Sequence, residues 1–80
     1  MKMTYIEMRK EFKKKAGFWR VTMMVKGSNC IKYKEFLCYP ADQEGKFVEY
    51  TSSFDELTRD EANKKYMDYK KRGFVVTKSA

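Results

Sequence analysis

Hydrophobic residues recur with a helical period at the start of this chain. From Tyr5, apolar side chains follow three and seven positions later, at Met8 and Phe12, which places them along one side of a helix. A threonine precedes Tyr5, and a glutamate three positions after that threonine completes the spacing of a capping box. Gly17 is a typical end for such a helix. The pattern predicts an amphipathic helix of about three turns with a basic outer side.

The hydrophobic period changes to two after Gly17. Apolar and mostly polar residues alternate from Phe18 to Lys26, as in a strand with one buried face. The turn residues 27–29 then predict a hairpin that leads to a second strand from Cys30 to Tyr39. Alternation breaks at Glu35, which predicts a β-bulge at that point.

The second half of the chain carries the same kinds of signal. Residues 40–45 have the composition of a loop, and residues 46–51 have that of a short strand. A second capping box begins at Thr58 and predicts a helix that ends at Gly73. Residues 74–77 follow as a last short strand.

These elements predict a two-layer α+β fold. We expect an antiparallel meander of three to four strands with two helices on one face, in the order α-β-β-β-α-β. With 80 residues, of which 42% are hydrophobic and 16% aromatic, the chain is able to build one small core. We therefore expect residues 1–80 to form a single compact domain.

The charge of the chain indicates what kind of partner it binds. The chain has 18 Lys and Arg residues against 11 Asp and Glu, a net charge of +7. Seven of the acids but only two of the basic residues lie between Asp42 and Glu61, so the rest of the chain is more basic still. Lysines and arginines that neutralise phosphates release counterions, which gives affinity for nucleic acid regardless of its sequence. We expect nucleic-acid binding, preferably of RNA, because no helix resembles a DNA recognition helix.

The candidate nucleic-acid contacts come from three parts of the chain: the predicted first helix, one face of the predicted sheet and the predicted second helix. They are Arg9, Lys10, Lys13, Lys14, Arg20, Lys32, Lys34, Lys64, Lys65, Lys71 and Arg72. The mechanism would be electrostatic docking of these side chains on phosphates. It requires that residues distant in sequence gather into one continuous basic patch.

The residues give little support to catalysis or metal binding. The chain has no histidine, so the commonest general base near neutral pH is absent. Cys30 and Cys38 do not complete a structural zinc site, and in one strand they would lie about 26 Å apart, too far for a disulfide. We expect a non-enzymatic protein with free thiols and with no metal or other cofactor. No apolar run suggests a signal peptide or a membrane span, so we expect a cytoplasmic location and no membrane partner.

Two resemblances bear on function. The order helix, three strands, helix resembles double-stranded-RNA-binding domains, whose phosphate contacts at the start of the last helix correspond here to residues 58–65. A short basic chain rich in Lys, Tyr, Phe and Met also resembles the small accessory (host-takeover or anti-defence) proteins of tailed bacteriophages. That second resemblance implies a role in sequestering or inhibiting a host nuclease or toxin in the host cytoplasm.

A different class of function remains open. The acidic and aromatic region 39–61 would suit a protein-binding inhibitor or antitoxin-like factor that acts on a host enzyme. Tyr39, Tyr50 and Phe54 would be its contacts, since tyrosine is enriched at interface hot spots. The sequence also leaves self-association into a homo-oligomer open.

Overall fold

One antiparallel sheet of five strands carries a helix on one of its faces in the computed structural model, which describes residues 4–41 and 45–80. The order of the strands across the sheet is β4-β3-β2-β1-β5, so the helix connects one edge strand to the other. The fold is α+β. In chain order the elements are β1 (Tyr5–Glu11), β2 (Phe18–Gly27), β3 (Cys30–Pro40), β4 (Phe47–Leu57), α1 (Arg59–Lys71) and β5 (Val75–Ser79).

The segment predicted as the first helix is the strand β1, so the prediction of two helices and three to four strands was wrong. β1 pairs with β2 along its whole length and with β5 on its other side. Ile6 and Met8 also alternate with period two, and Met8, in the middle of the sheet, is fully buried. Both periods fit these residues, and pairing on both sides favours the strand. The helix–three strands–helix order is therefore not the order of this fold.

The predicted hairpin between β2 and β3 is confirmed. A bulge does lie beside Glu35, but it does not interrupt β3 as predicted, because β3 pairs with β2 without a shift through Glu35. The register between β3 and β4 shifts between Glu35 and Phe36, and the extra residue is Ser52 of β4. The Ser52 hydroxyl donates a hydrogen bond to the Glu35 carbonyl at 3.2 Å. β4 continues well beyond the predicted strand at 46–51, as far as Leu57. Part of the predicted loop, residues 42–44, lies outside the described residues.

The capping box predicted at Thr58 is confirmed. The Glu61 amide donates to the Thr58 hydroxyl at 3.2 Å, and the Thr58 amide donates to the Glu61 carboxylate at 2.9 Å. These two bonds satisfy amides that the first helical turn leaves without partners. The amide of Arg59 also donates to the Asn29 side chain at 2.9 Å, which fixes the start of α1 at the β2–β3 turn.

The main core lies between α1 and the part of the sheet nearest that turn. Its buried residues are Met8, Val21, Met23, Ile31, Tyr33, Leu57, Ala62, Tyr69 and Phe74. The Tyr33 and Tyr69 hydroxyls lie 2.5 Å apart and also contact the Glu35 carboxylate, at 2.8 and 3.1 Å. Burial, more than these hydrogen bonds, raises the pKa of Tyr33, and burial also raises that of Tyr69.

α1 is shorter than the sheet that it covers. Its 13 residues span about 20 Å, whereas the molecule measures 43 Å along its longest axis. The helix runs from the β2–β3 turn to the neighbourhood of Lys10, whose ammonium group donates to the Arg72 carbonyl. The end of the sheet that carries the β1–β2 loop, residues 12–17, therefore has no helix over it.

Candidate nucleic-acid interface

An open pocket of about 350 Å³ occupies the uncovered end of the helix-side face. Aromatic and aliphatic side chains from the end of β1 and from the neighbouring strands form its floor, and lysines from β1 and the β1–β2 loop form its rim. We call it the lysine–aromatic pocket. Its residues are Phe12, Trp19, Leu37, Tyr39, Lys10, Lys13, Lys14 and Lys15.

Gly17 allows the β1–β2 loop to close over this end of the sheet. The Phe12 amide donates to the Gly17 carbonyl at 3.1 Å, which joins the two ends of the loop. Gly17 has a φ of 120°, a conformation that side chains with a Cβ rarely adopt. A Cβ at this position would also collide with the Cys38 carbonyl oxygen and come within 2.7 Å of the Phe12 ring. The glycine that was predicted to end a helix instead closes a tight loop.

The aromatic rings of the floor contact one another, edge to face between Phe12 and Trp19 and tilted by 34° between Phe12 and Tyr39. The Phe12 and Trp19 ring centroids are 4.6 Å apart at an interplanar angle of 86°, and the Phe12 and Tyr39 centroids are 5.5 Å apart. Tyr39 in turn contacts Tyr50 of β4, with the centroids 6.0 Å apart. Phe12, Trp19 and Tyr39 are only partly buried. The rings form a continuous apolar surface open to solvent.

The charge around this floor is positive within residues 4–41 and 45–80. The four charged residues among its described lining are all lysines. Lys15 places its ammonium group 4.9 Å from the Phe12 ring centroid and 5.0 Å from that of Tyr39. Lys10 is anchored at the end of α1 by its 2.5 Å hydrogen bond to the Arg72 carbonyl, where the helix dipole is negative. Lys13 and Lys14 are exposed and form no ion pair within residues 4–41 and 45–80.

The predicted contacts on the sheet lie on the opposite face, away from α1. Arg20, Lys32 and Lys34 line a second pocket there, so the sequence placed them correctly on one face. Carboxylates neutralise the two arginines of this face: Arg9 pairs with Glu11 at 2.6 Å, and Arg20 pairs with Glu49 at 2.6 Å. The hydrogen bond between Arg20 and Glu49 raises the pKa of the guanidinium and lowers that of the carboxylate.

The predicted contacts on α1 line neither the lysine–aromatic pocket nor the pocket of Arg20, Lys32 and Lys34. Lys64 and Lys71 are exposed, while Lys65 stacks its ammonium group 4.8 Å from the Tyr33 ring centroid. Arg72 pairs with Asp68 at 3.4 Å and touches Lys10 through its carbonyl. The candidate residues thus occupy opposite faces of the sheet and the surface of the helix. Only Lys10, Lys13 and Lys14 of the predicted set line the lysine–aromatic pocket.

Sequence reasoning missed the aromatic part of this site. Phe12 was assigned to the buried stripe of a helix and Trp19 to the core, and Lys15 was left out of the candidate set. The signal was present in residues 12–19, where a run of three lysines stands between aromatic residues. Lysines interleaved with aromatics are typical of surfaces that bind single-stranded nucleic acid.

The described parts of the chain were also compared with the requirements of a metal site, a disulfide and a membrane span. Residues 4–41 and 45–80 contain no group of three or more His, Cys, Asp or Glu side chains placed to hold a metal ion. Cys30 and Cys38 are both free, and burial raises the pKa of the Cys38 thiol. The helix that the structure describes is not long and apolar enough to cross a membrane.

Comparisons with family models, curated proteins and solved structures found no match for this chain. The geometry of the molecule is therefore the basis for assigning a function.

Proposed function

We propose that this protein binds single-stranded nucleic acid, preferably RNA, in the lysine–aromatic pocket. The observation that carries this proposal is that partly exposed aromatic rings and four lysines line one pocket, with no carboxylate among the described residues that line it. It narrows the electrostatic docking expected from sequence to one end of the molecule. The protein would act as a binding factor without chemistry of its own.

The lysines supply the sequence-independent part of the affinity. Lys13, Lys14 and Lys15 project from a loop closed by Gly17, so three ammonium groups follow one another along a short stretch of exposed backbone. Each lysine that neutralises a phosphate releases condensed counterions, and affinity then falls steeply as salt rises. Because lysine binds phosphate as a point charge, this arrangement selects for polyanions and not for a base sequence.

The aromatic floor favours single strands over duplexes. Base stacking on an aromatic side chain contributes about 1–3 kcal/mol per base, and any base presents a suitable face. Bases in a duplex are already stacked on each other and are not available to Phe12 or Tyr39. Single-stranded loops and ends of RNA present unstacked bases, which is why we prefer RNA.

In the biological setting suggested by the resemblance to phage accessory proteins, such binding would shield or sequester RNA from a host nuclease. This role follows from the proposed binding and adds no further site to the molecule.

The test is a titration of fluorescent single-stranded RNA of about ten nucleotides at several salt concentrations. The double variant Lys13→Gln/Lys14→Gln should bind more weakly, and the slope of log affinity against log salt should decrease in magnitude by about 1.4, or about 0.7 for each lost phosphate contact. Tyr39→Ala should weaken binding by about tenfold with an unchanged slope, because it removes stacking and not charge. DNA of the same sequence and duplex RNA complete the comparison.

Lys26→Gln/Lys64→Gln is the matched control, since it removes two exposed lysines that line neither the lysine–aromatic pocket nor the pocket of Arg20 on the opposite face. It should retain most of the affinity. If it weakens binding as much as Lys13→Gln/Lys14→Gln does, the attraction belongs to net charge alone and the pocket is not the site.

A second candidate function, a protein-binding factor that acts through region 39–61, is favoured by the exposure of β4. β4 is an edge strand of 11 residues, and Tyr50 and Phe54 are more than half exposed on it. Edge strands present unpaired backbone groups that another chain is able to extend. Under this reading, Phe54→Ala weakens a specific protein complex and leaves RNA binding unchanged, because Phe54 does not line the lysine–aromatic pocket. Asp42 and Glu44 of the same region lie outside the described residues.

A further inference from the structure

The face of the sheet away from α1 contains a small pocket rich in cations. It has a volume of about 240 Å³ and lies over β1, β2 and β3. Three basic side chains line it, together with two hydroxyl groups and a phenylalanine, and no carboxylate is among the described lining residues. The Glu7 carboxylate lies at its margin, where it accepts a hydrogen bond from the Tyr5 hydroxyl at 3.0 Å. These polar and aromatic groups belong to Arg20, Lys32, Lys34, Tyr5, Thr22 and Phe36.

Strand register brings these side chains together. Thr22 lies opposite Lys34, and Arg20 lies opposite Phe36, in the β2–β3 ladder. Directly opposed residues in an antiparallel pair have Cβ atoms about 5 Å apart and point to the same face. Lys32 and Lys34 alternate on β3, so their attachment points are about 7 Å apart on that face.

Arg20 is held in place, but not all of its hydrogen-bond donors have an acceptor. One terminal nitrogen binds Glu49 at 2.6 Å, and the guanidinium stacks on Phe36 at 4.5 Å from the ring centroid. Its Nε atom is buried and has no hydrogen-bond partner among the described residues, and the Glu7 carboxylate lies 4.0 Å from it. A buried donor without an acceptor costs about 1–3 kcal/mol, so the protein itself leaves this guanidinium incompletely satisfied.

The two lysines form no ion pair in the described part of the chain, although Glu56 lies opposite Lys32 in the β3–β4 ladder. Both ammonium groups lie over the Phe54 ring, at 5.4 and 5.7 Å from its centroid. Two neighbouring ammonium groups repel each other, and a single anion between them relieves that repulsion.

We propose that this pocket is a binding site for one phosphate group. Because Glu49 already neutralises Arg20, the pocket has a net excess of two positive charges, which a doubly charged phosphate would balance. The phosphate oxygens accept hydrogen bonds from guanidinium, ammonium and hydroxyl donors. The cavity is smaller than the roughly 300–1,000 Å³ typical of sites for larger organic ligands, which favours a small anion. The site lies on the opposite face from the lysine–aromatic pocket and does not depend on the function proposed there.

Inorganic phosphate is the first probe, added to isotopically labelled protein at low ionic strength and followed by NMR. Saturable shifts should appear at the amides of residues 20–24 and 32–36, with a dissociation constant on the order of 1 mM. Lys32→Gln/Lys34→Gln should weaken binding by about tenfold or more. Lys64→Gln/Lys70→Gln, with the same loss of charge but on the exposed side of α1, should bind as the wild type does.

The source of the phosphate is distinguished by a second titration with a 5′-mononucleotide. Equal affinity for the two ligands assigns the site to phosphate alone, and clearly tighter mononucleotide binding assigns it to a nucleotide whose base rests on Phe36 or Phe54. Non-saturating shifts that sodium chloride reproduces at the same ionic strength would overturn the proposal. So would an equal loss in the control variant.

The experiments distinguish a failure of the phosphate site from a failure of the proposed RNA binding. Lys13→Gln/Lys14→Gln should leave the phosphate titration unchanged, while Lys32→Gln/Lys34→Gln should leave most of the affinity for single-stranded RNA. If Lys13→Gln/Lys14→Gln abolishes the phosphate shifts, the anion binds at the loop and the site on this face is refuted.

Discussion

The helix-side face of the sheet has a covered end and an uncovered end that are built from similar residues. At the covered end Tyr33, Tyr69 and Phe74 are almost completely buried under α1. At the uncovered end Trp19 and Tyr39 are partly buried, and Tyr50 is 58% exposed. Aromatic content alone does not decide between core and binding surface. What decides is whether a helix or a lysine-bearing loop lies over the rings.

The polar groups at the two ends differ in the same way. The Tyr33 and Tyr69 hydroxyls have each other and Glu35 as partners. Among residues 4–41 and 45–80, the hydroxyls of Tyr39 and Tyr50 have no such partner, and the nearby lysines Lys13 and Lys14 are unpaired. Buried polar groups are normally satisfied within the protein, whereas groups that serve a ligand are left free. The covered end is therefore a core, and the uncovered end has the properties of a site.

The largest expected effect is a difference in stability between the two ends when an aromatic side chain is deleted. Phe74→Ala should lower the free energy of unfolding by about 4 kcal/mol, because it opens a cavity beneath α1. Tyr50→Ala should cost less than about 1 kcal/mol, since most of its side chain faces water. Urea denaturation followed by circular dichroism measures both. Similar losses for the two variants would mean that the uncovered end is also part of the core.

The second expected effect concerns the loop that replaces the helix. Gly17→Ala should destabilise the protein by about 3 kcal/mol, because it combines a positive φ with a collision against the Cys38 carbonyl. Gly45→Ala is the matched control: Gly45 also has a positive φ, of 79°, but nothing lies within 4 Å of its Cβ position. That control should cost only about 1 kcal/mol. Equal losses in denaturant midpoints would show that the close approach at Gly17 contributes nothing.

Local patterns predicted from sequence were confirmed where a few neighbouring residues determine the structure. The hairpin after Gly27 and the capping box at Thr58 each depend on short-range geometry. The bulge beside Glu35 was predicted in β3 but has its extra residue, Ser52, in β4. β1 was mistaken for a helix because Tyr5, Met8 and Phe12 satisfy a helical period. The deciding contacts come from far along the chain, such as the hydrogen bonds that join the backbone of Tyr5 to Ala80.

The candidate site shows the same division between local and distant information. Alternation alone placed Arg20, Lys32 and Lys34 on one face, which is confirmed. Assigning Lys10 and Lys13 to a helix surface hid their position beside an aromatic floor. That floor joins Phe12 to Tyr39 across β2, a pairing that requires the strand order of the sheet.

The smallest expected effect is a pH dependence of the free energy of unfolding that comes from the tyrosines of the covered end. Burial raises the pKa of Tyr33 and of Tyr69 above the ordinary value of 10.0, so in the folded state both stay protonated where the unfolded chain ionises. Their contribution to stability is complete below pH 10 and is lost as pH rises toward the folded-state pKa. Each buried phenol should lower the free energy of unfolding by about 1 kcal/mol between pH 10 and 11.

Variants at the two ends make this pH effect specific. Tyr33→Phe/Tyr69→Phe should flatten the fall in stability between pH 10 and 11, whatever its stability at neutral pH, because no buried phenol remains at the covered end. Tyr50→Phe should keep the wild-type slope, since it leaves both buried phenols in place. All other titratable groups are common to the wild type and the double variant and cancel in that comparison. An unchanged slope in the double variant would show that the covered end does not hold its phenols protonated, and the physical contrast between the two ends would then rest on packing alone.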